Sequence, residues 1–431
     1  MNKLHSYITK FFKADIVKVF SLTSISTLIK MLTGLVSVKV VAVIIGPAGI
    51  ALLGQLNNFS TIVLNLSSVG INNGVTKYIS EFKEDESQIN KLISTAFKIT
   101  IWGALFCGIV MIVIHDYLSV TILHSKEFGY VFVIFGLSIL FYAVNNLLVS
   151  ILNGYKEFKR YVKINIFASL FGLVFTLLLV LFLKLDGALI GAVTFQSVML
   201  IVTFFMIRKL PWMSKENFLR KIDSATVKKY IQYSLMTIVS VAMVPVSQLI
   251  LRSYVISNIS EIHAGWWEGM NRISGMYLMV ITTSFSVYYL PRLSEIQDKY
   301  ELRREILNAF KVIVPLIIVG FSAVYFLRGI IINILFTKEF APMSDLFIWQ
   351  LLGDLFKICS WLLAYIMVAK ALAKEFIFTE IFFSLSFVAL GFYFIHINSI
   401  EGLVQAYLIN YVVYFFAMLF LLRRFIFFKK R

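Results

Sequence analysis

The chain has 431 residues, 59% of them hydrophobic and 15% charged, with 41 phenylalanines and a mean hydropathy of +0.86. That composition excludes an ordinary soluble domain and identifies an integral membrane protein. The formal charge of +17 raises the question of nucleic acid, but the placement of the basic residues argues for membrane topology instead, and no nucleic-acid partner is expected.

Apolar runs long enough to cross about 30 Å of hydrocarbon recur along the whole sequence. Twelve spans are predicted, at 17–45, 50–78, 93–114, 129–152, 161–183, 187–207, 230–257, 264–290, 308–327, 344–369, 376–395 and 402–422. When the 40 Lys and Arg are assigned to alternating sides, 29 fall on one side and four (Lys126, Lys184, Arg328 and Lys338) on the other. The other seven lie within spans. This bias predicts that both termini are cytoplasmic. The first 16 residues are basic and aromatic without a small-residue cleavage site, so no cleavable signal peptide is expected. His5 to Phe20 is a candidate surface-lying amphipathic start to the first span.

Ten ionisable residues sit within the hydrophobic segments: Lys18, Lys30, Lys39, Lys98, Arg252, Arg272 and Lys357 against Glu268, Asp354 and Glu380. A charge at mid-bilayer costs about 2.5–3.5 kcal/mol even on the lenient insertion scale, so such residues are expected to line a watery cavity or to pair. The excess of cations suggests an anionic passenger.

In chain order, Lys30 and Lys39 share the first span but stand nine residues apart, on opposite sides of an ideal helix. Lys30 is the better interior candidate, and Lys39 is expected to snorkel outward. On the second span Gly54, Asn58, Thr61, Asn65, Ser68 and Asn72 follow a 4-3-4-3-4 spacing, which puts them on one face of one helix. That stripe reads either as a cavity lining or as a helix–helix seam of small and polar residues. Lys98 in the third span and Arg252 in the seventh are each placed to snorkel or to face inward.

The basic stretch 208–229, with Pro211, reads as a cytoplasmic linker between an amino-terminal half (1–207) and a carboxy-terminal half (230–431). A shift of 214 residues supports two parallel repeats, since Asn57 meets Asn271, Ser60 meets Ser274 and Ser80-Glu81 meets Ser294-Glu295. The same shift carries the polar stripe onto Glu268, Arg272, Gly275, Met279, Thr282 and Ser286 of the eighth span.

Pro245 and Pro315 fall inside predicted helices and favour kinks. Trp266 and Trp267 read as interfacial belt residues, with stacking on sugar rings as the alternative. Glu268 and Arg272 are an i, i+4 pair with the acid N-terminal, and Asp354 and Lys357 are an i, i+3 pair, so both are expected to neutralise locally. Glu380 has no local partner and is a candidate coupling-ion site. These readings leave Lys30 and Arg252 as the unpaired cations. Cys107 and Cys359 read as small apolar residues. No phosphate-binding glycine loop, metal-spaced His or Cys cluster or loop-borne carboxylate pair is present, so an enzyme and an ATP-driven pump are both disfavoured.

Several stretches carry a family resemblance. Lys30 to Gly49 (KMLTGLVSVKVVAVIIGPAG), Asn73 to Tyr78 (NGVTKY), Thr282 to Ser294 (TTSFSVYYLPRLS) and Asp345 to Ala371 (DLFIWQLLGDLFKICSWLLAYIMVAKA) resemble Wzx-type lipid-linked oligosaccharide flippases of O-antigen and enterobacterial common antigen synthesis. Those flippases belong to the multidrug/oligosaccharidyl-lipid/polysaccharide exporter superfamily. The resemblance implies an all-α protein of the bacterial inner membrane, with twelve transmembrane helices in two six-helix bundles forming a V around a central cavity. It implies translocation of an undecaprenyl-diphosphate-linked oligosaccharide to the periplasmic leaflet. Membrane lipids, a periplasmic glycan polymerase and a chain-length regulator are the implied partners. No cofactor is expected, and coupling to protons or sodium is left open. Lys30, Lys39, Arg252, Asp354 and Lys357 fall within the family pattern, from which Arg272 departs. Lys30, Lys39, Arg252, Arg272 and Lys357 are the expected diphosphate and acidic-sugar contacts, and Asn58, Asn65 and Asn72 the expected hydroxyl contacts. Glu268, Asp354 and Glu380 are the expected ion-pair or coupling groups. The rival readings are a cation-coupled multidrug exporter of the same fold, a lipid-II-type flippase and a membrane-embedded glycan polymerase.

Overall fold

The computed structural model describes residues 15–214, 217–218 and 220–426, and among these every regular element is helical. Most of the amphipathic stretch predicted from His5 to Phe20, and the side chain of Lys18, lie outside the described part. In chain order the α-helices are α1 (Asp15–Ser67), α2 (Asn72–Phe82), α3 (Glu86–Val113), α4 (His115–Leu123), α5 (Gly129–Gly154), α6 (Phe158–Ile207) and α7 (Ser224–Asn258). They continue as α8 (Glu261–Ser284), α9 (Leu290–Glu295), α10 (Lys299–Phe326), α11 (Arg328–Leu335), α12 (Phe347–Ala369), α13 (Ala373–Leu421) and α14 (Arg423–Ile426).

Eight of the described helices are long and apolar enough to cross a membrane. Their outward faces carry large apolar side chains such as Phe182 and Phe326, which are 81% and 80% exposed. Water would not tolerate such faces in series, whereas lipid does. The protein is a multi-pass membrane protein.

Three helices are about twice a membrane thickness in length, and each leaves helical geometry in the gap between two predicted spans. In α1 the break is at Gly46, whose φ of 64° favours glycine, and Pro47 restarts the helix. In α6 it is at Lys184, and in α13 at Asn398 and Ser399. At the last two breaks the chain doubles back. Residues eight apart on a straight helix are separated by about 12 Å, yet the carbonyl of Leu179 lies against Gly187 and that of Phe394 against Gly402. By contrast, α7 and α10 run through Pro245 and Pro315 as single helices.

The predicted second span does not persist to residue 78. Helix α1 ends at Ser67, where Ser67 and Ser68 return their hydroxyls to the carbonyl of Leu64. Val69 and Gly70 then take left-handed φ values of 52° and 65°. A Cβ on Gly70 would lie 2.8 Å from Ile238 of α7, so a glycine is required there for packing as well as for the turn.

The contacts divide the chain into two compact units. One comprises 1–40 with 59–241, the other 41–58 with 242–431. In the first, Val75, Ile79, Ile93, Leu147 and Ile151 form the core of α2, α3 and α5, and Tyr230 of α7 closes it with a 3.0 Å hydrogen bond to the carbonyl of Leu92. In the second, Leu278 and Phe285 pack with Ile358 and Leu362 of α12 and Phe383 and Tyr414 of α13. Cys107 and Cys359 are free thiols on separate helices.

Candidate functional site: a buried arginine cluster and two polar cavities

Arg252 of α7 is completely buried in the second unit. Its Nη2 donates to Oε2 of Glu268 at 2.5 Å, and Nη1 reaches Oε1 of Gln55 at 3.4 Å. The guanidinium also stands 5.2 Å from the ring centre of Trp267, a favourable cation–π placement. The expectation that Arg252 is unpaired or snorkels outward is therefore overturned. A cation with no reach to water needs a carboxylate, and Glu268 supplies it from the neighbouring helix.

Glu268 also pairs with Arg272 at 3.1 Å, as the i, i+4 spacing predicts. One carboxylate thus serves two guanidiniums, and the cluster keeps one net positive charge. Gln55 is fixed in turn by donating to Ser253 Oγ at 2.7 Å. The close approach of Glu268 depends on Gly54, where a Cβ would lie 2.5 Å from the carboxylate carbon. Trp267 is 1% exposed under Arg252, which overturns its reading as an interfacial belt residue. Trp266 donates its indole N–H to the carbonyl of Glu339 at 2.8 Å.

Asp354 and Lys357 do not form the predicted ion pair. Asp354 is fully buried and accepts from Ser274 Oγ (2.7 Å), Tyr277 OH (2.5 Å), Gln350 Nε2 (3.3 Å) and Tyr407 OH (2.7 Å). Four neutral donors solvate this carboxylate in place of a lysine. Lys357 donates to the oxygen of the same Tyr407 at 3.1 Å and lies 5.1 Å from the ring centres of Trp361 and Tyr411. One phenol therefore links the two charges, accepting from the ammonium and donating to the carboxylate.

Lys357, Tyr407 and Tyr411 line a polar cavity of about 340 Å³ within the second unit. Gln248, Asn271 and Glu380 line it too, so Glu380, which has no partner in its own sequence neighbourhood, faces the same space as Lys357. The amide nitrogen of Asn271 is buried without a hydrogen-bond partner.

In the first unit Lys30 borders a separate cavity of about 300 Å³, with Thr33, Ser37, Asn165, Ser169 and Gln196. Among the described residues Lys30 has no ion partner, and no carboxylate lines this cavity. Lys39 is half-buried on the same helix. Lys98 donates to the backbone carbonyl of Arg220 at 2.6 Å, so it reaches the polar end of its helix.

The asparagine stripe is only partly assembled. Asn58 has a buried amide nitrogen with no partner, whereas Asn65 returns its amide to the carbonyl of Thr61 at 2.8 Å. Asn72 lies beyond the break and starts α2, bonding Ser68 at 3.3 Å. It therefore does not share one helix face with Asn58 and Asn65.

Residues 16–297 match the family described as polysaccharide biosynthesis protein. The chain belongs to that family. A relative of this polysaccharide biosynthesis protein is the lipid III flippase of Escherichia coli (strain K12), 27% identical over 393 residues that cover 91% of this chain and 94% of the relative. Among solved structures, the lipid II flippase MurJ in an inward closed conformation superposes with a TM-score of 0.72 at 16% identity, covering 93% of this chain and 87% of that one. An inward-facing multidrug resistance MATE transporter of the MOP superfamily superposes with a TM-score of 0.71 at 14% identity, covering 94% and 98%. This family member thus shares the MOP transporter fold.

Sequence reasoning missed Gln55, Tyr277, Tyr407 and Gln350 as charge partners. Gln55 had a signal, being a polar residue next to Gly54 at the head of the polar run that continues with Asn57 and Asn58. The tyrosines had none, because 20 tyrosines in an aromatic-rich chain carry no periodic mark.

Proposed function

We propose that this polysaccharide biosynthesis protein is a flippase. It moves an undecaprenyl-diphosphate-linked oligosaccharide from the cytoplasmic to the periplasmic leaflet of the bacterial inner membrane, for O-antigen or enterobacterial common antigen synthesis. The observation that carries the reading is the Arg252–Glu268–Arg272 cluster, two intramembrane guanidiniums on one carboxylate. A diphosphate crossing hydrocarbon needs positive charge held in place, and Arg272 has its Nε anchored on Glu268 while its terminal amino groups remain for an anion. The relationship to a lipid III flippase supports the same passenger.

In this reading each of the three long kinked helices counts as two spans. With α8, whose apolar run is interrupted by Glu268, Asn271 and Arg272, they bring the eight long helices to twelve. Two six-helix bundles, joined through 208–229, form a V around a central cavity with both termini cytoplasmic. Rocking of the bundles exposes that cavity to each side in turn. Lys30, Arg252, Arg272 and Lys357 provide the field for the diphosphate and acidic sugars, with Lys39 contributing nearer the interface. Asn58, with its unpartnered amide, and Asn65 and Asn72 offer hydrogen bonds to hydroxyls. Asp354 and Glu380, both linked to Lys357 through Tyr407 or the shared cavity, are the groups through which a proton or sodium ion would couple. A periplasmic glycan polymerase and its chain-length regulator would consume the product.

A multidrug exporter of this fold is the near rival. Cationic drugs call for an acidic interior, which an excess of intramembrane bases over acids does not provide. The test is a deletion strain analysed by mass spectrometry for undecaprenyl-linked repeat units. Accumulation that is reversed by the wild-type chain is expected. Unchanged levels would overturn the assignment.

A further inference from the structure

The cavity of about 340 Å³ in the second unit holds an ammonium and a carboxylate that are not bonded to each other. Lys357 enters it from α12 and Glu380 from the first arm of α13. Among the described residues neither makes an ion pair, and Lys357 has its hydrogen bond to the oxygen of Tyr407. Tyr411 and Tyr414 line the space from the returning arm of α13, and Asp354 stands behind Tyr407. Helices α7 and α8 contribute only neutral groups to the lining. Two of the lining amides carry a buried atom without a hydrogen-bond partner: the nitrogen of Asn271, a donor, and the oxygen of Asn410, an acceptor. Asn410 is 4% exposed. Buried polar groups are rarely left so, and a hydroxylated anion satisfies both, accepting from Asn271 and donating to Asn410.

We infer that this cavity is a proton-linked oxyanion site, in which an anionic group of the passenger takes Lys357 while Glu380 takes up a proton. The inference rests on the flippase reading, which supplies an anionic passenger, and it assigns the coupling to one group, one ion and one sign. Without a passenger the charges of Lys357 and Glu380 cancel. An oxyanion beside Lys357 leaves a surplus negative charge in a space enclosed by protein, where charges interact more strongly than in water. Two anionic groups sharing one site do not both stay ionised at no cost, and protonation of Glu380 removes the surplus. Asp354 does not yield in its place, because Ser274, Tyr277, Gln350 and Tyr407 already donate to it as a carboxylate. Binding thus raises the number of protons held, so by linkage the affinity for the anion rises as the pH falls. The proton joins the protein together with the anion, the reverse of an exchange in which it must leave before the passenger binds.

The experiment titrates the full chain in detergent with glucuronate and, separately, with dimethyl phosphate, each of which keeps a single negative charge between about pH 6 and about pH 9. Binding is read by tryptophan fluorescence, since the Trp361 ring centre lies 5.1 Å from the Lys357 ammonium. The tighter probe tells whether a sugar carboxylate or a phosphate is the anion held, and glucose is the neutral control. For that probe the wild-type Kd is expected to fall about tenfold per unit drop in pH, one proton entering per anion. Glu380→Gln should bind at every pH as wild type does at low pH, Glu380→Asp should keep the slope, and Lys357→Gln should lose the pH-dependent signal. Anion bound in the Lys30 cavity, which no carboxylate lines, adds no slope. Replacing sodium by N-methylglucamine should change nothing. A pH-independent wild-type Kd, a slope that persists in Glu380→Gln or vanishes without sodium, or an equal response to glucose would overturn the inference. The deletion-strain assay is read separately: export restored by a wild type of pH-independent affinity defeats only the proton link, whereas a proton-linked site in a chain that restores no export defeats the flippase reading.

Discussion

In the first unit Lys30 stands among hydroxyls and amides with no carboxylate in its cavity, whereas in the second unit Arg252 and Arg272 divide one carboxylate and Lys357 reaches Asp354 through a phenol. The difference separates two uses of intramembrane charge. A cation beside a watery cavity needs no internal partner and stays available to a ligand. A cation sealed from solvent must carry its counter-charge with it, and its removal or exposure is then coupled to packing. Charge at Arg252 and Glu268 is therefore tied to packing, whereas Lys30 has no ion partner among the described residues.

The sharpest way to break that contrast is Glu268→Gln. Loss of the carboxylate leaves Arg252 buried without compensation and should cost about 3–5 kcal/mol, read as a large drop in thermal midpoint of the detergent-solubilised protein. Adding Arg252→Met should recover much of the loss. An unshifted midpoint in the single variant would show that the cluster is not structural.

Tyr407→Phe is next in size. It removes the donor to Asp354 and the acceptor for Lys357 together, with an expected cost of about 1–3 kcal/mol. If its midpoint matches wild type, the phenol does not bridge the two charges. Lys30→Gln is the smallest expected perturbation. It should leave the midpoint within about 0.5 kcal/mol of wild type, because it breaks no contact. A large destabilisation there would erase the distinction between the units.

Much of this arrangement can be read from the sequence, for definable reasons. Spans are visible because their length is set by the bilayer, and the breaks at Gly46, Lys184 and Asn398 fall where apolar runs pause. Glu268 and Arg272 are readable because helical spacing brings them together. The partnership of Arg252 with Glu268 is not, since contacts between helices follow no period. Spacing misled at Asp354 and Lys357, where a tyrosine 53 residues away from the acid intervenes. It misled again at Asn72, because the 4-3 pattern continues through a turn whose local marker is the single residue Gly70.

The measurement that bears most directly on the central claim is the level of undecaprenyl-linked repeat units in a deletion strain carrying Lys30→Gln or Lys357→Gln, with membrane protein abundance measured in the same cells. The account predicts that both variants reach the membrane and that the repeat units accumulate as in the uncomplemented deletion. Full export by both would contradict it.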